Sequence, residues 1–276
     1  MMTSPPPRIL SIAGSDSSGG AGVQADIKTI TMLGGYAMTA VTAITAQNTV
    51  GVQGIVPVSG AMVLQQITSC IADIGVDGVK IGMLHDEDVI GHVAGALEGV
   101  RAPVVLDPVM IATSGAALIA PEAVEALRQR LFPLATLITP NLPELAALAG
   151  RPLVSKQDMI DAACDLAEAT GTAVLAKGGH RVEEAESERI VDVLIVPGAR
   201  AVAFDHARID TPHTHGTGCT LSSAIATLLG HGQPLEHAVR LGRQFVLRAI
   251  EQAPGFGAGH GPLGHQSVRS DGSRIS

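Results

Sequence analysis

The chain has no tryptophan, one tyrosine (Tyr36) and four phenylalanines, so aromatics make up 2% of its 276 residues. A ring-shaped ligand must therefore pack on aliphatic side chains, methionine or the faces of peptide groups. Cysteine is sparse as well: Cys70, Cys164 and Cys219 are widely spaced, odd in number and form no CxxC pair. That argues against a disulfide framework and for a reducing, cytoplasmic setting. Positive charge is also in deficit. Lys and Arg number 18 against 26 Asp and Glu, a formal net charge of −8 with no basic run, so a nucleic-acid partner is not expected. No apolar run approaches the length of a membrane span, and the first seven residues lack the basic and apolar regions of a signal peptide, so no membrane partner is expected either.

Two further absences narrow the chemistry. No GxxxxGK[ST] motif occurs, so a P-loop nucleotide enzyme has no support. Gly20-Ala21-Gly22-Val23-Gln24-Ala25 matches the dinucleotide pattern GxGxxG/A, yet no Asp or Glu lies between Asp26 and Asp73 to hold a ribose. Ser15 to Gly19 also separate the first strand from the first matching glycine, where a dinucleotide turn is tight. A nicotinamide or flavin site is set aside.

What is present is a regular alternation of short β-branched runs with longer periodic segments, the pattern of a parallel sheet covered by helices. Strands are expected at Arg8–Ala13, Thr39–Ala46, Val79–Met83, Val104–Asp107, Thr136–Thr139, Ala173–Lys177 and Ile190–Val196. Helices are expected at Gly20–Leu33, Ala61–Asp73, Asp86–Leu97, Pro121–Leu131, Pro143–Ala149, Lys156–Ala169, Cys219–Leu229 and Leu235–Glu251. Pro121 suits a first helical position, and Ser155 can cap the helix after it. With no repeat and no Pro-, Gly- or Ser-rich linker before residue 253, one α/β domain over 8–265 is the economical reading. It would be flanked by a disordered extension over 1–7 and a mobile tail over 266–276. The acidic stretch Arg181–Arg189 reads as a solvated loop.

The most telling segment is His215-Gly216-Thr217-Gly218-Cys219-Thr220, where two glycines and a thiol precede an apolar helix. First-turn N–H groups have no intrahelical partner and the helix dipole is positive there, so anions collect at such a terminus. The same field would favour the thiolate of Cys219, a candidate base or nucleophile. Taken alone, the segment is equally a turn before a core helix with a structural cysteine. A second Gly-rich element, Gly14 to Gly22, follows the first strand. Gln47, Asn48, Asp107, Asn141, Glu144 and Lys177 fall at or just beyond predicted strand ends. Each alone is a loop residue satisfying its own backbone, but together they would share one edge of a parallel sheet, where ligands bind. His213 and His215 lack a third partner at metal-ligand spacing and read as loop residues; His260 and His265 read as tail.

These motifs, in this order, resemble the bacterial hydroxymethylpyrimidine/phosphomethylpyrimidine kinases of the ribokinase-like superfamily. The resemblance is carried by Ile9 to Asp16, Gly19 to Thr29, Thr42 to Thr49, Lys80 to Leu84, Val104 to Met110, Ile138 to Glu144, Lys177 to His180 and Thr214 to Thr220, and spans about residues 8 to 265. It implies a three-layer sandwich with a central, mostly parallel sheet, a homodimer, and ATP with Mg²⁺. By resemblance, the substrate is 4-amino-5-hydroxymethyl-2-methylpyrimidine, phosphorylated to the monophosphate and then the diphosphate. Gln47 would hydrogen-bond the aminopyrimidine, with Asp26, the Gly14 backbone, Met83 and Val109 lining the ring pocket. Asp107, Asn141, Glu144 and Lys177 would serve the phosphates, Asp107 and Glu144 reaching the metal through water or phosphate. Gly216, Thr217, Gly218 and Cys219 would form an anion hole, with Cys219 as base. A pyridoxal or pyridoxine kinase and a non-catalytic pyrimidine sensor are the competing readings.

Overall fold

Ile9, Leu10 and Ile12 of the segment Arg8 to Ala13 are inaccessible to solvent although they point to opposite faces of the pleat, so this run can only sit inside a covered sheet. The computed structural model, which describes residues 5–110, 119, 121–179 and 188–268, places it there. Eight strands form the sheet: β1 (Arg8–Ala13), β2 (Tyr36–Val41), β5 (Gly78–Ile81), β6 (Val104–Leu106), β7 (Leu137–Ile138), β8 (Ala173–Ala176), β9 (Arg189–Ile195) and β10 (Val202–Ala207). Their order is β10-β9-β8-β7-β6-β5-β1-β2, parallel from β2 to β8 and antiparallel at β9 and β10. Strands β3 (Ala43–Gln47) and β4 (Val52–Pro57) form a separate antiparallel hairpin.

The helices are α1 (Gly22–Met32), α2 (Gly60–Asp73), α3 (Glu87–Leu97), α4 (Pro121–Ala126), α5 (Leu142–Ala149), α6 (Lys156–Thr170), α7 (Thr217–Gly230) and α8 (Leu235–Glu251). Leu10 and Ile12 on one face of the sheet join the apolar stripes of α2 to α6. Ile9 on the other face joins Ile30 of α1, Leu221, Ile225 and Leu228 of α7, and Ala238 and Val239 of α8. Two cores divided by one sheet make the expected three-layer sandwich. Ser155 caps α6 in a capping box with Asp158, and α4 begins at Pro121. From Leu127 to Leu131 that helix widens into a π turn.

The single strand expected over Thr39–Ala46 is two. Thr42 is buried, with its hydroxyl donating to the Met83 carbonyl at 2.6 Å and its own carbonyl accepting from Val58, and the chain leaves the main sheet there. Apolar residues on both sides of Thr42 hide the break in the sequence. Strands β4 and β10 lie outside the expected set; both are edge segments, β4 mostly exposed and β10 burying only Phe204 fully. The tail expected beyond 265 is anchored as far as Val268. His265 to Ser267 form a 3₁₀ turn, and Val268 packs with Phe245, Ala249 and Leu263. Pro7, assigned to the extension, is buried and accepts from the Tyr36 N–H. The acidic stretch lies outside the described residues up to residue 187; Arg189 already belongs to β9.

Candidate active site

The parallel strands end at Ala13, Ile81, Leu106, Ile138 and Ala176, and the residues just beyond them line one cavity of about 690 Å³. Gly14, Gln47, Met83, Asp107, Val109, Asn141, Glu144 and Lys177 all reach it, as does the turn from Gly216 to Cys219. Asp26 does not. It is inaccessible to solvent, with Oδ1 accepting from Ser223 at 2.6 Å and Oδ2 from Ser11 at 2.5 Å and Lys80 at 2.8 Å. A carboxylate so saturated has nothing to offer a ligand, and its sequence assignment to the ring pocket is corrected to a structural pair beneath α7.

Helix α7 opens on Gly216, whose φ of 85° falls in the left-handed region and whose missing Cβ would collide with the Gly20 carbonyl. No side chain caps this helix. The Thr217 N–H turns back to the Thr214 carbonyl, so any anion at this terminus would have to be met by the remaining first-turn N–H groups rather than by Thr217. Gly218 brings this terminus against two charged groups: a Cβ there would lie 3.0 Å from Asp107 Oδ2 and 3.4 Å from Lys177 Nζ.

The thiol of Cys219 is not the ready thiolate the sequence suggested. Burial pushes it up to about 11; Lys80 and the N–H of Gly22 oppose that shift, and Asp26 and Asp107 add to it. Desolvation outweighs the helix terminus here. Lys80 is itself fully buried, and although burial pulls its pKa down, Asp26 and Cys219 raise it overall.

Beside Gly218, Lys177 Nζ donates to Asp107 Oδ1 at 2.8 Å and Thr139 Oγ1 to the same oxygen at 3.0 Å. Burial opposes the charge on Lys177, but Asp107 and Glu144 raise its pKa in total. Glu144 rises to about 7 because it is buried and faces Asp107, with Lys177 pulling the other way. Asn141 and Glu144 are also the capping box of α5: Asn141 Oδ1 accepts from the Glu144 N–H at 2.9 Å and Glu144 Oε2 from the Asn141 N–H at 2.8 Å. Their positions are thus fixed by the helix they begin.

On the opposite side, Gln47 closes β3 and Met83 follows β5. A Cβ on Gly14 would lie 2.5 Å from Met83 Cε, so thioether and bare peptide supply the flat surface that aromatics do not. Sequence reasoning missed two residues here. Asp16 Oδ1 accepts from the Ser18 N–H and hydroxyl at 2.9 and 2.7 Å. Its Oδ2 accepts from the N–H groups of Gly20 and Ala21 and from His215 Nε2, at 3.0, 2.8 and 2.9 Å. Burial would raise this carboxyl, but the hydrogen bonds from His215, Ser18 and Ala21 hold it down to about 2. His215, read as a loop residue, is buried, and its Nε2 lies 3.4 Å from the Gln47 amide.

At the far end, Arg243 Nε donates to Asp192 Oδ2 at 2.7 Å, Nη2 donates to the Phe204 carbonyl at 3.1 Å, and the guanidinium lies over the Phe204 ring. All but Phe204 line the cavity. Asp192, an acid inside the apolar run Ile190 to Val196, was the available signal: a buried charge in a strand needs a partner.

The pattern of one protein family, phosphomethylpyrimidine kinase, matches residues 16–264. The chain is 46% identical to the thiamine biosynthesis bifunctional protein ThiED of Geobacter sulfurreducens over 95% of its length, and spans 53% of that longer protein. It is 42% identical to the hydroxymethylpyrimidine/phosphomethylpyrimidine kinase of Haemophilus influenzae, covering 94% of this chain and 96% of the relative. Among solved structures it is similar to the ADP complex of Bacillus subtilis pyridoxal kinase, with a TM-score of 0.85 and 36% identity over 95% of this chain and 98% of the other. It is also similar to phosphomethylpyrimidine kinase from Clostridium difficile, with a TM-score of 0.76 and 38% identity over 88% and 99%.

Proposed function

The chain belongs to the phosphomethylpyrimidine kinase family, and we propose that in the cytoplasm it phosphorylates the hydroxymethyl group of 4-amino-5-hydroxymethyl-2-methylpyrimidine and then converts that monophosphate to the diphosphate for thiamine biosynthesis. The donor is ATP. One observation carries the reading: Gln47, Cys219, Lys177 and the uncapped start of α7 border the same cavity.

A primary amide offers a donor beside an acceptor, which the amino group and adjacent ring nitrogen of the pyrimidine match in two hydrogen bonds. Met83, Val109 and the Gly14 peptide cover the ring. The hydroxymethyl group then faces the start of α7, whose free N–H groups receive the moving phosphoryl group. Phosphoryl transfer is loose, with charge on the equatorial oxygens, so positioning and positive potential dominate. Lys177 supplies part of that potential. The buried carboxylates of Asp107 and Glu144, one of them raised to about 7 by its surroundings, suit a divalent cation bound through water or phosphate. Mg²⁺ held there would neutralise phosphate charge.

In the first step the alcohol must lose a proton, and Cys219 takes it in the fraction of molecules whose thiol, pushed up to about 11 by burial, is ionised, a fraction that Lys80 and the Gly22 N–H increase. In the second the nucleophile is a phosphate oxygen already ionised near neutral pH, and no base is required. Two copies are proposed to pair through the outer face of the β3–β4 hairpin, where Ile44 and Val56 are exposed.

The test is ATP turnover on the hydroxymethylpyrimidine, its monophosphate and pyridoxal, for the wild type and Cys219→Ala. The first two are expected to be turned over far faster than pyridoxal, and the variant to lose about 10²-fold or more in the first step and less in the second. Faster turnover of pyridoxal would transfer the protein to the activity of the Bacillus subtilis neighbour. Binding of the pyrimidine without turnover would make it a sensor. Equal losses in the two steps would remove the base role from Cys219.

A further inference from the structure

The ionised Asp16 carboxylate can only accept hydrogen bonds, so the His215 Nε2 that lies 2.9 Å from its Oδ2 carries a hydrogen. The Gln47 amide atom 3.4 Å from that nitrogen must then be its oxygen, since a second donor there would face N–H with N–H. The other end of the amide leads to the same result. Thr45 Oγ1 spends its one hydrogen on the Ser15 carbonyl at 2.8 Å, so toward the Gln47 amide, 3.3 Å away, it can only accept. With Nε2 on Thr45 that contact is a hydrogen bond, and Oε1 faces the positive N–H edge of a ring whose one Nε2 hydrogen is given to Asp16; with the amide turned over, two donors meet at His215 and two acceptors at Thr45. One acceptor and one donor remain for the cavity.

We propose that the relay Asp16, His215, Gln47, Thr45 locks the orientation of the Gln47 amide, and that His215 is thereby the positioning residue that selects an amino over an oxo substituent on the pyrimidine. The inference rests on Gln47 as the pyrimidine contact. An aminopyrimidine presents an exocyclic donor and a ring acceptor, which meet Oε1 and Nε2 of the locked amide. The 4-oxo analogue in its lactam form presents an exocyclic acceptor and a ring donor in the same places. It can bind equally only if the amide turns by 180°, which costs the hydrogen bond to Thr45 and sets N–H against N–H at His215. Asp16 is well suited to fix the lock, because four other hydrogen bonds hold it to the Ser18, Gly20 and Ala21 segment independently of His215.

The experiment compares kcat/KM for the 4-amino substrate and its 4-oxo analogue in the wild type, His215→Leu, His215→Gln, Thr45→Val and Gln47→Leu, with ADP binding as the check on folding. The wild type is expected to favour the amino compound by about 10³-fold or more, because the oxo compound leaves buried groups unpaired. His215→Leu and Thr45→Val should shrink that ratio by about 10-fold or more, chiefly through KM, as the amide gains freedom to turn. His215→Gln, which keeps an N–H donor, should restore part of it. A ratio unchanged in both His215→Leu and Thr45→Val overturns the lock; should His215→Leu fail to bind ADP, Thr45→Val alone decides. If Gln47→Leu leaves pyrimidine affinity untouched, the Gln47 contact itself has failed, and that outcome is separable from failure of the lock.

Discussion

The pairs Lys80–Asp26 and Lys177–Asp107 have the same 2.8 Å separation, and both act electrostatically on Cys219. The first is sealed: neither side chain touches solvent, and Ser11 and Ser223 complete the Asp26 carboxylate. The second borders the cavity, with Lys177 15% exposed and both hydrogen bonds to Asp107 falling on Oδ1, while Oδ2 faces Gly218. A closed pair has no capacity left for a ligand and serves the fold. An open one keeps an unspent oxygen and a cation that a phosphate can claim.

Breaking the closed pair should cost most. Lys80→Met leaves a carboxylate buried with hydroxyl partners only, and a loss of about 3–5 kcal/mol is expected. Thermal melting would read this as a fall of about 2–4 °C per kcal/mol. An unchanged midpoint would remove the distinction drawn between the pairs. Lys177→Met should do the reverse, with kcat down about 10²–10³-fold and the melting temperature nearly kept, because Asp107 can turn to water in the cavity. A melting loss equal to that of Lys80→Met would make the second pair structural too.

The smallest effect sharpens the open side. Glu144 is raised from 4.5 to about 7 by burial and by Asp107, so its contribution to stability is complete below pH 4.5 and is lost as pH rises through 7. Glu144→Gln should therefore raise the melting temperature of the ligand-free protein at pH 8 and leave it unchanged at pH 4.5. Melts at the two pH values check the sign.

The sheet was legible because its inner strands are apolar on both faces, as in Ile9 to Ile12, and strand ends marked by polar residues placed Gln47, Asp107, Asn141, Glu144 and Lys177 on one edge. Edge strands β4 and β10 carry no such signal, and Thr42 could not be seen as a break because its hydroxyl is satisfied by a carbonyl 41 residues away. Asp26 misled for the same reason. Its motif is visible in the sequence, but whether an acid faces a ligand or a lysine is decided by Lys80, 54 residues on. Asp16 and His215 are 199 apart, and separately each is an ordinary loop residue. Long-range pairing, not local propensity, assigns these side chains.

Gly20 and Gly216 touch main chain to main chain, and any substituent on Gly216 would strike the Gly20 carbonyl. The cavity wall at Gly216 is thus backed by backbone atoms, which substitution cannot restyle. Descendants of such a sequence would diversify at the side chains around this contact, Gln47 or Val109 for example, while the contact itself passed through the lineage unaltered.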